Sequence, residues 1–196
     1  KDIVTGITYN LQEISTVPVG DPLYLTKMLN RPRVALVVGH TSGEGLCKDM
    51  GAVDVGGMTE YEFWENYVLS ADVIDKLNAH FFLHDENDNS YTSRQTKMAA
   101  RTKDFDLVLE LHFNASDSEQ ANGSEALYYF SNNKTKLLAA KFTELMTARM
   151  QYTNRGAKPI YSPNDRGHGF LSKMKGDALV LEPFFGTNGN DCIKFN

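Results

Sequence analysis

From Arg33 onward the chain alternates short apolar runs with longer stretches in which apolar residues recur every three or four positions, the rhythm of strands alternating with helices. "RVALVVGH" is a continuous apolar run ending at Gly39-His40, the pattern of a strand buried on both faces. A glycine-rich loop, "TSGEGLCKDMGAVDVGG", follows it. "TEYEFWENYVLSADVIDKLNAH" then places Phe63, Tyr67, Ile74 and Leu77 at helical spacing behind Thr59, with Glu62 three residues on, a capping box. "AHFFLHD" predicts a short strand, "SYTSRQTKMAARTK" a second helix and "FDLVLELHFNA" a third strand. "GSEALYYFS" predicts a fourth strand. "NKTKLLAAKFTELMTARM" is the clearest helix, with Leu137, Leu138, Phe142, Leu145 and Met146 expected on one face, and "ALVLEPFF" closes as a fifth strand.

Residues 1 to about 30 differ. "DIVTGITYNLQEIS" alternates loosely and is broken by "PVGDP", so residues 1–30 read as an N-terminal extension or the edge of a neighbouring module, and 31–196 as one domain. There is no internal repeat and no low-complexity tract. The pattern predicts an α/β fold with a mostly parallel sheet.

Polar groups of catalytic type stand at the ends of three of these apolar strands: His40, His112 and Glu182. In open α/β sheets ligands bind beyond the carboxyl ends of the strands, so strands lying side by side would bring these groups to one edge. Glu62, at the start of the first helix, can join them from the loop side. Two imidazoles and a carboxylate, with a fourth position left to water, form the ligand set of a catalytic zinc site, and Glu182 would then be free to shuttle protons. Taken singly, each residue has a structural role open to it: the histidines as hydrogen-bonded strand ends, Glu62 as a helix cap, Glu182 as a backbone acceptor. Asn114 is read as holding the turn after His112. His80, His84 and Arg94 lie in polar surroundings and are read as surface residues, with pairing to a helix or loop carboxylate the alternative for Arg94. Glu110, inside the apolar run of the third strand, points away from Leu109 and Leu111 and has no role from pattern alone.

Bulk properties narrow the partners. A chain of 196 residues with 41% hydrophobic and 23% charged residues can bury a core without disulfides or a structural metal. A net charge of −5 argues against a nucleic-acid or anionic-membrane surface. No apolar stretch approaches the roughly 18 residues that would span a bilayer, so no membrane insertion is expected. Cys47 and Cys192 lack the close spacing of a metal knuckle or redox pair and are read as free thiols.

"VALVVGHTSGEG", "GAVDVGGMTEYEFWEN", "FDLVLELHFNA", "GSEALYYF", "NRGAK" and "ALVLEPFFGTNGND" resemble, in order and approximate spacing, the signature segments of zinc-dependent N-acetylmuramoyl-L-alanine amidases, bacterial cell-wall hydrolases and phage endolysins. The resemblance runs from about Arg33 to Asp191. It implies a twisted, mostly parallel sheet of about six strands flanked by helices. It also implies Zn2+ held by His40, Glu62 and His112, with Glu182 as the catalytic glutamate. Glu60, Glu62 and Glu65 crowd the helix start; counting back fifteen residues from Leu77 selects Glu62, with Glu65 next. The segment "NRGAKPIYSPNDRGHGFLSKMKG", similar to a family loop, offers Arg155, Lys158 and His168 as candidates for a substrate groove.

This chain departs from the family's usual Gly-His-Gly-Gly-x-Asp with "GHTSGEG", carries Glu110 where a small residue is common, and reaches Asn196 where the family continues into a last helix. The implied partner is peptidoglycan, cut between the lactyl group of N-acetylmuramic acid and L-alanine by a monomer acting on the bacterial wall, secreted or released from the host cytoplasm during lysis. Another zinc peptidase or amidohydrolase, or an inactive wall-binding phage module, are the alternatives.

Overall fold

The computed structural model describes residues 31–70 and 78–195. The N-terminal extension expected over residues 1–30, and Ile74 and Leu77 of the first helix, lie outside them. Six strands and five helices follow in the order β1 (Val34–Val38), α1 (Glu60–Ser70), β2 (Ala79–Phe82), α2 (Tyr91–Arg101), β3 (Leu107–Leu111), β4 (Ser124–Tyr129), α3 (Asn133–Met150), β5 (Asn154–Ile160), α4 (His168–Leu171), β6 (Asp177–Glu182) and α5 (Gly189–Phe195). The strands form one sheet in the order β2-β1-β3-β6-β4-β5. β2, β1, β3 and β6 are mutually parallel, and β4 turns the direction by pairing antiparallel with β6 and parallel with β5.

Strand alternation sends residues to two cores. On one face Leu36, Val38, Leu111, Leu179 and Leu181 pack with Phe63, Trp64 and Val68 of α1 and Ala139 of α3. On the other, Ala35, Val37, Val108, Ala178 and Val180 pack with Met98 of α2 and Phe170 and Leu171 of α4. A sheet covered on both sides explains why β1 is apolar throughout and buried at every position. The helices begin where the sequence carries caps: the Ser90 side chain accepts from the Ser93 N–H, and the Asn132 side chain accepts from the Lys134 and Thr135 N–H groups.

Two expectations need correction, and a further helix closes the described residues. The "NRGAK" segment, expected as a loop, is β5; as the edge strand it tolerates Gly156 and Pro159, which hide it from pattern reading. On α3 the fully buried line is Thr135, Ala139 and Thr143, flanked by half-buried Leu138, Phe142 and Met146, while Leu137 and Leu145 are exposed. The chain beyond Asn188 is helical as α5, whose Cys192 and Phe195 join the α1 core. Cys47 and Cys192 are both buried and free, as expected. Among the described residues no helix is long and apolar enough to cross a membrane.

Candidate metal centre

β1, β3 and β6 are adjacent and in register, with Val38 opposite Leu111 and Leu111 opposite Leu181. The residues that follow therefore emerge together: Gly39-His40 from β1, His112 from β3 and Glu182 at the end of β6. The ladder continues past the strands, for the Gly39 N–H donates to the Leu111 carbonyl at 3.2 Å and the His112 N–H to the Leu181 carbonyl at 3.0 Å. Gly39 is required here, because a Cβ at that position would lie 1.9 Å from His112 Nε2.

The carboxylate that meets these imidazoles is Glu60, which corrects the expectation of Glu62. Glu60 Oε2 lies 3.2 Å from His40 Nε2 and its Oε1 lies 3.2 Å from His112 Nδ1, while the two imidazole nitrogens are 3.1 Å apart. Two backbone N–H groups, Ala52 to Oε2 and Phe113 to Oε1, each at 2.9 Å, fix the carboxylate from opposite sides. Gly51, at φ +80°, lets the loop pass; a Cβ there would lie 2.7 Å from both Glu60 and His40. Two residues along a helix rotate a side chain by about 200°, so Glu60 and Glu62 cannot both face the strand ends. Glu62 instead closes the capping box, accepting from the Thr59 N–H at 2.9 Å and the Thr59 hydroxyl at 2.7 Å. Glu65, the second choice, accepts from the Tyr61 hydroxyl at 2.7 Å.

Each histidine is held from behind. His40 Nδ1 lies 2.8 Å from Asp49 Oδ1, and Arg94 Nη2 lies 3.4 Å from Asp49 Oδ2. His112 Nε2 faces Glu110 Oε2 at 3.5 Å, and Glu110 Oε1 faces His84 Nε2 at 3.7 Å. Arg94 and His84 are thus buried beside the site rather than on the surface, Arg94 taking the alternative of pairing with a loop carboxylate, while His80 is exposed. Burial alone would discharge the imidazoles, but the carboxylates around them win: Asp49 and Glu60 raise the His40 pKa, and Glu110 and Glu60 raise that of His112 well above its ordinary value. Burial would push Glu60 up, yet the two imidazoles hold it low, and the His40 contact brings Asp49 down to about 2. The site is built to stabilise positive charge.

Glu182 experiences the opposite balance. Burial pushes its pKa up to about 7. Its Oε1 lies 3.3 Å from Arg166 Nη1, and its buried Oε2 has no hydrogen-bond partner among the described residues. The β4–β6 register sets Glu125 opposite Glu182, and Arg166 pairs with both. Arg166 also donates to Asn114 Oδ1 at 2.6 Å, while the Asn114 N–H donates to the Phe184 carbonyl and the Gly186 N–H to the Asn114 carbonyl. Asn114 therefore ties the two strand-end turns together, the scaffold role expected of it.

These groups line one cleft of about 350 Å³, with His40, Glu60, His112, Glu182, Arg166 and Tyr91 on its walls. Of the basic residues expected in a groove, none lines it. Arg155 bonds Glu125 Oε2 at 2.9 Å and lies over the Phe185 ring, Lys158 is exposed on edge strand β5, and His168 follows Gly167 with its ring against Tyr129. Arg166, two residues before His168, is the basic residue on the wall; the "NDRGHG" turn that carries it has no periodic pattern to single it out.

The donor set fits a metal ion. Ligands bonded tetrahedrally at about 2.0–2.1 Å stand roughly 3.3 Å from one another. The His40, Glu60 and His112 donor atoms are spaced at 3.1–3.2 Å. Among the described residues, this is the one His/Cys/Asp/Glu group so assembled.

Comparison with known proteins agrees with this geometry. Residues 34–196 match the pattern of the family described as N-acetylmuramoyl-L-alanine amidase. The chain is 30% identical over 182 residues to the N-acetylmuramoyl-L-alanine amidase LytC of Bacillus subtilis (strain 168), covering 88% of this chain and 34% of that protein. It thus spans about a third of that relative's length. Among solved structures, the catalytic domain of an endolysin targeting Clostridia difficile superposes with a TM-score of 0.67 at 26% identity, covering 84% of this chain and 87% of the other. The catalytic domain of the amidase CwlV from Bacillus (Paenibacillus) polymyxa shares the fold, with a TM-score of 0.59 at 20% identity over 84% and 87% of the two chains.

Proposed function

Given that the chain belongs to the N-acetylmuramoyl-L-alanine amidase family, we propose that it is a zinc-dependent hydrolase of peptidoglycan, cutting the amide between the lactyl group of N-acetylmuramic acid and the L-alanine of the stem peptide. One observation carries this reading. A buried carboxylate with a free oxygen and a pKa near neutrality, Glu182, shares a cleft with a His-Glu-His donor set.

His40 Nε2, a Glu60 oxygen and His112 Nδ1 would hold the ion. Zinc bound there supplies Lewis acidity toward the scissile carbonyl and makes water acidic enough to lose a proton near pH 7. The rest is done by the chain. Glu182 Oε2 takes the proton of the water that attacks the carbonyl carbon. The same oxygen then delivers that proton to the alanine nitrogen as the C–N bond breaks, leaving a lactyl carboxylic acid and a free amine, which exchange the acid's proton to become carboxylate and ammonium. Burial raises this carboxyl in the metal-free fold and the charge of a bound ion would draw it back down, a balance that suits a group that must both accept and return a proton. Arg166 orients Glu182 through Oε1 and leaves Oε2 facing the reaction, and Arg155 holds Glu125, the other partner of Arg166. Asp49 fixes the His40 ring so that Nε2 points inward. The wall is the site of action, reached by secretion or by release at lysis, and the working unit is a monomer.

Mass analysis of purified peptidoglycan after digestion tests the reading. New alanine amino ends on intact sugar strands, abolished by chelator, restored by zinc and lost in Glu182→Gln, are the expected result. Release from within the stem peptide, or equal digestion by Glu182→Gln, would overturn it.

A further inference from the structure

Glu110 stands where a carboxylate is least at home. It lies inside β3, one residue from its end, opposite Val37 of β1 and Val180 of β6, and shares its sheet face with the apolar core under α2. It is 3% exposed. A charge in such a place persists only if its neighbours compensate it. The neighbours are two imidazoles: His112 Nε2 at 3.5 Å from Oε2 and His84 Nε2 at 3.7 Å from Oε1. His84 has a fully buried side chain, and neither ring nitrogen is in a hydrogen bond among the described residues.

The other ligand histidine has the same plan. His40 turns Nε2 inward and is backed at Nδ1 by Asp49, which is in turn met by Arg94. The two backing carboxylates differ in setting, for the Asp49 side chain is 43% exposed and that of Glu110 only 4%. An imidazole can present a lone pair at one nitrogen only if its proton sits on the other, and a carboxylate facing the second nitrogen enforces that tautomer. His112 must present Nδ1, where Glu60 and His40 converge. Its proton must then lie on Nε2, the atom that faces Glu110.

We propose that Glu110 and His84 are positioning residues for the metal centre: Glu110 holds the His112 ring with its proton on Nε2 and its Nδ1 lone pair toward the ion, and His84 holds Glu110. The proposal rests on the metal reading of His40, Glu60 and His112. It gives His84 a task, and it accounts for a buried carboxylate inside a strand that packing alone does not explain.

The test measures zinc itself. Competition with a chromophoric chelator gives the zinc dissociation constant of the wild type and of Glu110→Gln, His84→Gln and Glu62→Gln. Visible spectra of the cobalt-loaded proteins report the ligand field, and melting of each apo-protein reports folding. Removing such a backing group weakens metal affinity by about 10- to 100-fold. That loss is expected for Glu110→Gln together with an altered cobalt spectrum, a smaller loss for His84→Gln, and none for Glu62→Gln. Nitrogen-15 spectra of the zinc-loaded wild type should show His112 protonated at Nε2, a readout that needs no variant and so survives if Glu110→Gln fails to fold. A folded Glu110→Gln that binds zinc as tightly, with an unchanged cobalt spectrum, would overturn the positioning role and leave the metal reading standing. So would a proton on Nδ1 of His112. A wild type that binds no zinc would overturn both.

Discussion

The sharpest prediction concerns Glu182→Gln in the metal-stripped protein. An acid whose pKa is about 7 in the fold and 4.5 in the open chain is harder to ionise when folded. Below pH 4.5 both states hold the proton and the group contributes nothing. Between pH 4.5 and 7 the folded state binds more proton than the unfolded state, so stability falls as pH rises. Above pH 7 the loss is complete, and at 1.36 kcal/mol per pKa unit it amounts to about 3 kcal/mol. Glutamine keeps the shape and removes the titration. Urea or thermal unfolding of the two proteins side by side should therefore show the variant gaining on the wild type by about 2 kcal/mol between pH 5 and pH 8. For a chain of this size that is roughly 4–8 °C in relative Tm. Taking the difference between proteins cancels the titrating groups that do not interact with Glu182, along with any fixed cost of the changed Arg166 contact. A gap that stays constant with pH, or closes toward pH 8, would refute the claim that Glu182 is strained by burial. The same substitution should abolish hydrolysis, so stability and activity would move in opposite directions.

Other substitutions address the remaining parts of the site. Glu60→Gln should lose most bound zinc by metal analysis, whereas Glu62→Gln should retain it, since glutamine keeps an acceptor for the Thr59 capping box. Gly39→Ala puts a methyl group into the His112 ring and should lower metal content while leaving circular dichroism that of a folded protein. Arg166→Ala releases Glu182, Glu125 and Asn114 together, and should lower the turnover of peptidoglycan more than it lowers zinc affinity. Because a metal ion must displace the protons that the acidic surroundings favour on His40 and His112, zinc affinity should fall steadily as pH is lowered through the neutral range, as a pH series of chelator competitions would show.

How much of this was legible depends on the kind of signal each residue leaves. His40, His112 and Glu182 could be read because each ends an apolar run, and the order of strands in a parallel sheet converts that into proximity. The carboxylate that meets the imidazoles was misread because the strongest local signal at the start of α1, Thr59 with Glu62, belongs to helix capping. The one between the two rings is the less conspicuous glutamate two residues earlier, Glu60. Arg166 and Asp49 sit in irregular loops, where no periodicity marks a functional position. Polar sequence context put His84 on the surface and left Arg94 between the surface and a carboxylate partner, yet both are buried against carboxylates that the sequence places 26 and 45 residues away. Local pattern reports secondary structure well and long-range pairing of polar groups poorly, since such pairing depends on the tertiary fold.

The path of the chain between two of the donors has a consequence of its own. His40 and Glu60 are 20 residues apart, and the glycine-rich segment between them leaves the sheet at the end of β1 and returns at the start of α1. An ion held by both ends would act as a clasp on that loop, trading binding energy for the entropy of closing it. The exposed turn at Asp54–Gly57 would then be nicked slowly by a protease in the zinc-loaded protein and quickly once a chelator has opened the clasp. On the proposed zinc reading, the ion would double as armour.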